Sequence, residues 1–250
     1  MLQIRNIVLA ALAGGLLSNS VFAQAPPASS ATYTGSISAG VAVTNGNTDT
    51  TNYNIAFALI RDPKTKNVIK SSALYLRGDQ NSILAVDRTT ANLRDEYTVS
   101  GRTFVFGQTD YFRDRFKDIN YLVSPTAGVG YKLVSRENTL ILLDGGAGGL
   151  WEKDTGLPVT SSGSITAGER FSSKVNSALT FAQSINTLWK TDDFSDSLSN
   201  FAASATTSIS KRLDMKVEFI DSYKNRPAIL GIKKNDTAFV TALVFKFQDK

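Results

Sequence analysis

The sequence predicts an all-β protein, a closed up-and-down antiparallel transmembrane β-barrel of about 12 strands. Three observations predict it. Apolar side chains recur with a period of two from Thr32 to the C-terminus. The connections between these stretches alternate between a short set and a mostly longer one. The N-terminus carries the marks of an export signal.

The alternation comes first because it defines the strands. Tyr33, Gly35, Ile37, Ala39, Val41 and Val43 share one face, with Thr34, Ser36, Ser38 and Gly40 on the other. Tyr53, Ile55, Phe57 and Leu59 repeat the pattern, as do Met215, Val217 and Phe219, and then Phe239, Thr241, Leu243, Phe245 and Phe247. A period of two places side chains on opposite faces of a strand. Gly, Ser and Thr are too dense for long helices. Strands are expected near 32–44, 50–61, 66–78, 87–100, 102–113, 118–132, 138–151, 163–172, 174–187, 197–210, 213–224 and 235–247.

The connections give the strands a direction. Segments 61–65, 100–101, 133–137, 172–173 and 211–212 are short. Segments 79–86, 152–162, 188–196 and 225–234 are longer, while 45–49 and 114–117 are short exceptions among them. Short turns on one rim and longer loops on the other are the pattern of an outer-membrane barrel, and put both termini on the periplasmic side. Hydrocarbon offers backbone groups no partner, so the sheet must close on itself. A soluble β-sandwich shows the same alternation, and the rim asymmetry, even strand number and leader favour the barrel over it. Tyr33, Tyr131, Phe171 and Phe247 suit a periplasmic aromatic girdle, and Tyr53, Tyr111, Tyr121, Trp151 and Tyr223 an outer one.

The leader comprises Arg5, an apolar run from Ile7 to Leu17, and Val21-Phe22-Ala23 at a cleavage site. The run is shorter than the roughly 20 residues of a membrane helix and reads as a secretory signal peptide, cleaved on export. The expected organisation is a signal peptide at 1–23, a flexible Pro/Ser/Ala-rich N-terminus at 24–31 and a barrel domain at 32–250. Phe245 and Phe247 resemble the aromatic C-terminal signal read by barrel-assembly machinery, although Gln248, Asp249 and Lys250 follow them.

Composition narrows the chemistry. The 250 residues include no Cys and no His. That excludes disulfides, Ser-His-Asp and Cys-His triads and the usual zinc and haem ligand sets. No enzyme activity, cofactor or metal is expected. The formal charge of +5 is mild and lacks a dense basic run, so nucleic acid is not an expected partner. The expected partners are outer-membrane lipid and lipopolysaccharide, the assembly machinery, and small solutes or ions, with the protein a monomer.

Several short motifs occur in one order: Gly46-Asn47-Thr48, Tyr111 to Phe116 with Tyr121, Gly128-Val129-Gly130-Tyr131, Gly146 to Trp151 with Glu152, Asp193-Phe194, Asn225-Arg226-Pro227 and Lys234 to Thr237. This order, from about Tyr33 to Phe247, resembles the YdiY-like, salt-induced outer-membrane protein family, a family built on a domain of unknown function. The resemblance implies an envelope β-barrel, linked by name to salt or osmotic stress, with no catalytic residues to carry over.

Candidate site residues are charges in or beside the strands. Arg113, Asp114 and Arg115, with Lys117 and Asp118, form a dense cluster that would set ion preference at a pore mouth. The competing reading is a solvated hairpin tip. Arg94, Glu96, Asp110, Lys216 and Glu218 sit at wall positions where a charge could not face lipid, and are expected to point into the lumen. Small residues are expected to share that lumen: Ala202, Ser204, Thr206 and Ser208, and Gly128, Gly130, Gly145, Ala147 and Gly149. Weaker candidates are Asp192, Asp193 and Asp196 as a Ca²⁺ loop, Lys224, Arg226, Lys233 and Lys234 as a lipopolysaccharide contact, and Glu152 with Asp154 as an acid/base pair. Each competes with an ordinary solvated loop. Asn45 to Asp49 reads as a hairpin turn before it reads as a ligand contact. The expected function is a narrow channel or binding barrel for small hydrophilic solutes or ions. The alternative is a non-conducting structural or interaction protein acting through its surface loops.

Overall fold

A computed structural model describes residues 32–44, 50–80, 82–115, 118–226 and 234–249. The expected leader and N-terminal segment lie outside these residues, as do the 45–49 hairpin, Phe116, Lys117 and Lys233. Twelve strands follow one another: β1 (Tyr33–Thr44), β2 (Thr50–Arg61), β3 (Asn67–Gln80), β4 (Ile83–Thr98), β5 (Thr103–Asp114), β6 (Ile119–Ser135), β7 (Thr139–Asp154), β8 (Val159–Lys174), β9 (Leu179–Lys190), β10 (Ser197–Ser208), β11 (Leu213–Lys224) and β12 (Asn235–Gln248). Each pairs antiparallel with its sequence neighbours, and β12 pairs with β1 from Thr34↔Gln248 to Ala39↔Leu243 to close the barrel. Closure leaves no sheet edge, so ladder groups find partners without water.

The strands are strongly staggered. Stepping through paired residues from Leu179, at the periplasmic start of β9, leads through Thr207, Met215, Leu243, Ala39, Ile55, Tyr75, Thr89 and Arg113. Beyond the β5–β6 bulge it passes Tyr121 and Lys153 and reaches Val159, at the extracellular end of β8. One circuit therefore climbs the height of the wall, as strand tilts of about 35–45° require.

Alternation decides which side chains face lipid. On β5, Phe104, Phe106, Gln108, Asp110, Phe112 and Asp114 are buried inside, while Val105, Gly107 and Thr109 face out. Outside, Ile55, Val129 and Phe239 keep 58%, 60% and 68% of their surface open. In a sandwich such residues would be packed between sheets. An apolar exterior running round the whole wall needs hydrocarbon as its solvent. Tyr33, Tyr131 and Phe247 lie on the outer surface towards the periplasmic rim, and Tyr53, Trp151 and Tyr223 towards the other. Asp95 and Glu169 also face outwards, each next to an outward aromatic residue. Asp95, beside Tyr97, accepts from Asn67 Nδ2 at 2.6 Å, and Glu169, beside Phe171, accepts from Gln183 Nε2 at 3.0 Å.

The rims are more alike than the sequence suggests. The connections expected at 79–86 and 152–162 shrink, because β3 runs to Gln80, β4 starts at Ile83, β7 runs to Asp154 and β8 starts at Val159. Ser82, at φ 62°, helps close the first of these hairpins. Here the two faces of a strand no longer differ, being mostly polar on β3, β7 and β8 and apolar over Ile83 to Val86 on β4, so the period-two signal fades while the pairing persists. The turn expected at 172–173 lies at 175–178. There the Asn176 side chain accepts from the Ala178 and Leu179 backbone amides, each at 2.8 Å. Asparagine supplied a better turn acceptor than the serine pair.

Candidate functional site

Charges collect inside the barrel on β3, β4, β5, β7 and β8. Lys70, Arg94, Glu96, Asp110, Asp144 and Arg170 all occupy inward positions, because each falls on the inward parity of its strand. Lys70 Nζ donates to Glu96 Oε2 at 2.7 Å, and Arg94 Nε to Glu96 Oε1 at 2.7 Å. Arg94 Nη2 donates to Asp144 Oδ2 at 3.1 Å, and Arg170 pairs with both Asp144 and Glu96. The Arg94–Asp144 contact spans from β4 to β7, across two intervening strands.

What lies beneath this bridge explains its position. Phe104 and Phe106 project from β5 against β6 and β7, where Gly130, Gly128 and Gly146 leave room. A Cβ at Gly130 would lie 2.1 Å from Phe104 Cζ, and one at Gly128 2.7 Å from Phe106 Cζ. The rings therefore lie on a glycine wall, and the Arg94 guanidinium sits 3.7 Å from the Phe106 ring centroid. This stacking supplies attraction beyond the ion pairs. Arg94 Nη1 also donates to Gln108, Gln108 Nε2 to Asp110 at 2.8 Å, and Asn92 Nδ2 to Asp110 at 2.6 Å. Three cations face three carboxylates, so the belt carries no net formal charge.

Two apolar clusters flank the belt. Phe112, Ile119, Leu122, Leu150, Leu188 and Leu198 pack inside towards the extracellular end, and Phe104, Phe106 and Leu142 towards the periplasmic end. The interior is therefore not lined by small and polar residues alone. Beyond the upper cluster, Lys190 Nζ contacts Glu152 at 2.6 Å and Asp196 at 2.7 Å, and Lys224 Nζ contacts the same two carboxylates. Burial pushes the Asp196 carboxyl up, but the ammonium groups of Lys224 and Lys190 outweigh it and hold the carboxyl below its ordinary range.

Arg94, Glu96 and Asp110 come together in the belt. Lys216 and Glu218 also point inwards but form a separate pair at 2.9 Å. The 113–115 cluster does not assemble as a constriction. Asp114 points inwards and pairs with buried Arg88, whereas Arg113 faces outwards and meets Asp87 at 3.3 Å, and Arg115 lies exposed beyond the strand. Consecutive strand residues face opposite ways, so the three cannot line one pore mouth. Gly145, Ala147 and Gly149 face outwards instead of into the lumen, and Gly146 and Gly148 take the inward places. A run that is small at every position carries no alternation to read.

Several of the weaker candidates resolve as ion pairs. Glu152 is held by two lysines and Asp193 pairs with Arg226. Lys224 points into the barrel, away from an outer-leaflet contact. No group of three or more acidic residues able to hold a metal occurs among the described residues. Sequence reasoning missed Lys70, Gln108, Asp144 and Arg170. The available signal was their polar or charged character at inward parity within expected strands.

A closed antiparallel meander, apolar outside and charge-paired within, is an outer-membrane-type β-barrel. Among solved structures, the COG4313 outer membrane channel from Pseudomonas putida F1 is similar at TM-score 0.52, with 11% identity over 86% of this chain and 94% of that one. The NanC porin gives 0.47, with 10% identity over 87% and 99%. These likenesses concern the fold. No curated protein matches the chain by sequence. The chain belongs to the family described as Protein of unknown function, DUF481, which matches residues 37–247.

Proposed function

We propose that the protein is a monomeric bacterial outer-membrane barrel, exported by its leader and inserted by barrel-assembly machinery, that passes or binds small hydrophilic solutes or ions. One observation carries this reading: a polar, charge-paired belt runs across the interior of a wall whose outside is apolar. Such groups have a role in an aqueous or solute-filled passage and none against lipid. Lipopolysaccharide surrounds the outer rim, and no enzyme activity is assigned. The salt-stress link of the family resemblance sets the condition for a genetic test, in which a deletion strain grows more slowly at high salt.

Planar-bilayer recording tests the passage directly. Discrete conductance steps from refolded protein are the expected result, and their absence above background removes the channel reading. The second reading, a sealed structural barrel acting through its loops, draws support from the apolar interior cluster in which Phe112, Leu122, Leu150 and Leu198 are almost wholly covered. It predicts no conductance together with a membrane-integrity defect on deletion.

A further inference from the structure

We propose that the interior row Asp144, Asn186, Asn200 and Ser222 binds a small uncharged solute bearing hydroxyl or amide groups. The proposal names the solute class for the barrel reading above and rests on it. The row is continuous in register, through Asp144↔Gly168, Gly168↔Asn186, Asn186↔Asn200 and Asn200↔Ser222. It starts at the belt, on the carboxylate that Arg94 and Arg170 share, and runs round the wall to β11.

Asn200 is the centre of the argument. Its side chain is 4% exposed, and neither Nδ2 nor Oδ1 has a hydrogen-bond partner among the described residues. A buried amide with both functions unmet is disfavoured unless something supplies a donor and an acceptor together. Hydroxyls, amides and urea-type groups do so. An ion would need an opposing free charge, and the charges next to the row are already engaged: Asp144 by two arginines, and Lys224 by Glu152 and Asp196.

Leu188 and Leu198 flank the row on one side and Ala202 and Ile220 on the other, all nearly covered. Gly168 makes room within it for the polar heads of its neighbours. A Cβ there would lie 2.9 Å from Asp144 Oδ1 and 3.2 Å from Asn186 Nδ2, so two polar heads converge over a residue with no side chain. Apolar walls with donors and acceptors between them suit small solutes such as glycerol or urea.

Saturation-transfer NMR on refolded protein in micelles reads binding of glycerol and urea, and planar-bilayer recording in KCl reads passage separately. Transfer to both solutes is expected in the wild type. It should fall at least fivefold in Asn200→Leu and persist in Asn200→Ser, which keeps a donor and an acceptor. A heat-modifiability gel confirms that each variant folds, and Asn186→Leu replaces Asn200→Leu if the latter does not. No transfer in the wild type, or undiminished transfer in the folded Leu variant, overturns the proposal whatever the conductance. Transfer without conductance upholds it and removes the passage reading, whereas conductance without transfer does the reverse.

Discussion

Arg94 touches more of the interior than any other side chain described above, contacting Glu96, Gln108, Asp144 and the face of Phe106. Removing one member of a buried ion network leaves the others uncompensated, at about 3–5 kcal/mol. Arg94→Ala should therefore lower the urea midpoint of unfolding in micelles by a corresponding amount. If the barrel conducts, it should also raise single-channel conductance, because the bridge from β4 to β7 is gone. An unchanged midpoint would mean that the network is hydrated and contributes little. The glycine wall makes a second prediction. Gly130→Ala drives a methyl into Phe104 and should cost about 1–3 kcal/mol by overpacking. Gly107→Ala, with nothing within 4 Å, should stay within about 0.5 kcal/mol of the wild type. Parity made Arg94 and Glu96 legible in the sequence, whereas Asp144 borders a glycine run in which parity has no apolar marker.

The strands were legible wherever one face met lipid and the other did not. β1, β2, β11 and β12 alternate over most of their length and lie within a residue or so of their expected limits. The extracellular ends of β3, β7 and β8 are mostly polar on both faces and that of β4 is apolar on both over Ile83 to Val86, so none shows the contrast that marks a strand. The contrast between faces also predicts what substitutions do. On β12, Leu243 faces out between Phe239 and Phe247, and Ala242 faces in. Leu243→Arg should destabilise the barrel by about 2–4 kcal/mol in lipid, as a charge near the bilayer midplane does. Ala242→Ser should change little, and equilibrium unfolding in vesicles compares them. The 191–196 connection offers a pH test. The folded-state value of Asp196 is depressed, so its tie to Lys190 and Lys224 is fully present above the ordinary carboxylate range. It is lost as pH falls through the depressed value. Amide exchange in this loop should accelerate there, and a pH-independent loop would contradict the assignment.

At the scale of the whole molecule, the sequence carried the architecture because a membrane barrel must satisfy its backbone by closing, and closure imposes even, alternating, consecutive pairing. The interior was less legible. Apolar residues at inward positions, such as Phe112, Leu150 and Leu198, do not differ in kind from apolar residues that face lipid, so composition alone does not reveal a packed lumen. The native chain has no Cys, which permits the most direct test of the central claim. Single cysteines placed in turn from Val105 to Thr109 on β5 can carry a fluorophore, with a lipid-attached quencher supplied in the bilayer. Strong quenching at 105, 107 and 109 and weak quenching at 106 and 108 is the predicted result. Equal quenching along the strand, or none anywhere, would contradict a sealed cylinder with its odd-numbered β5 positions in hydrocarbon.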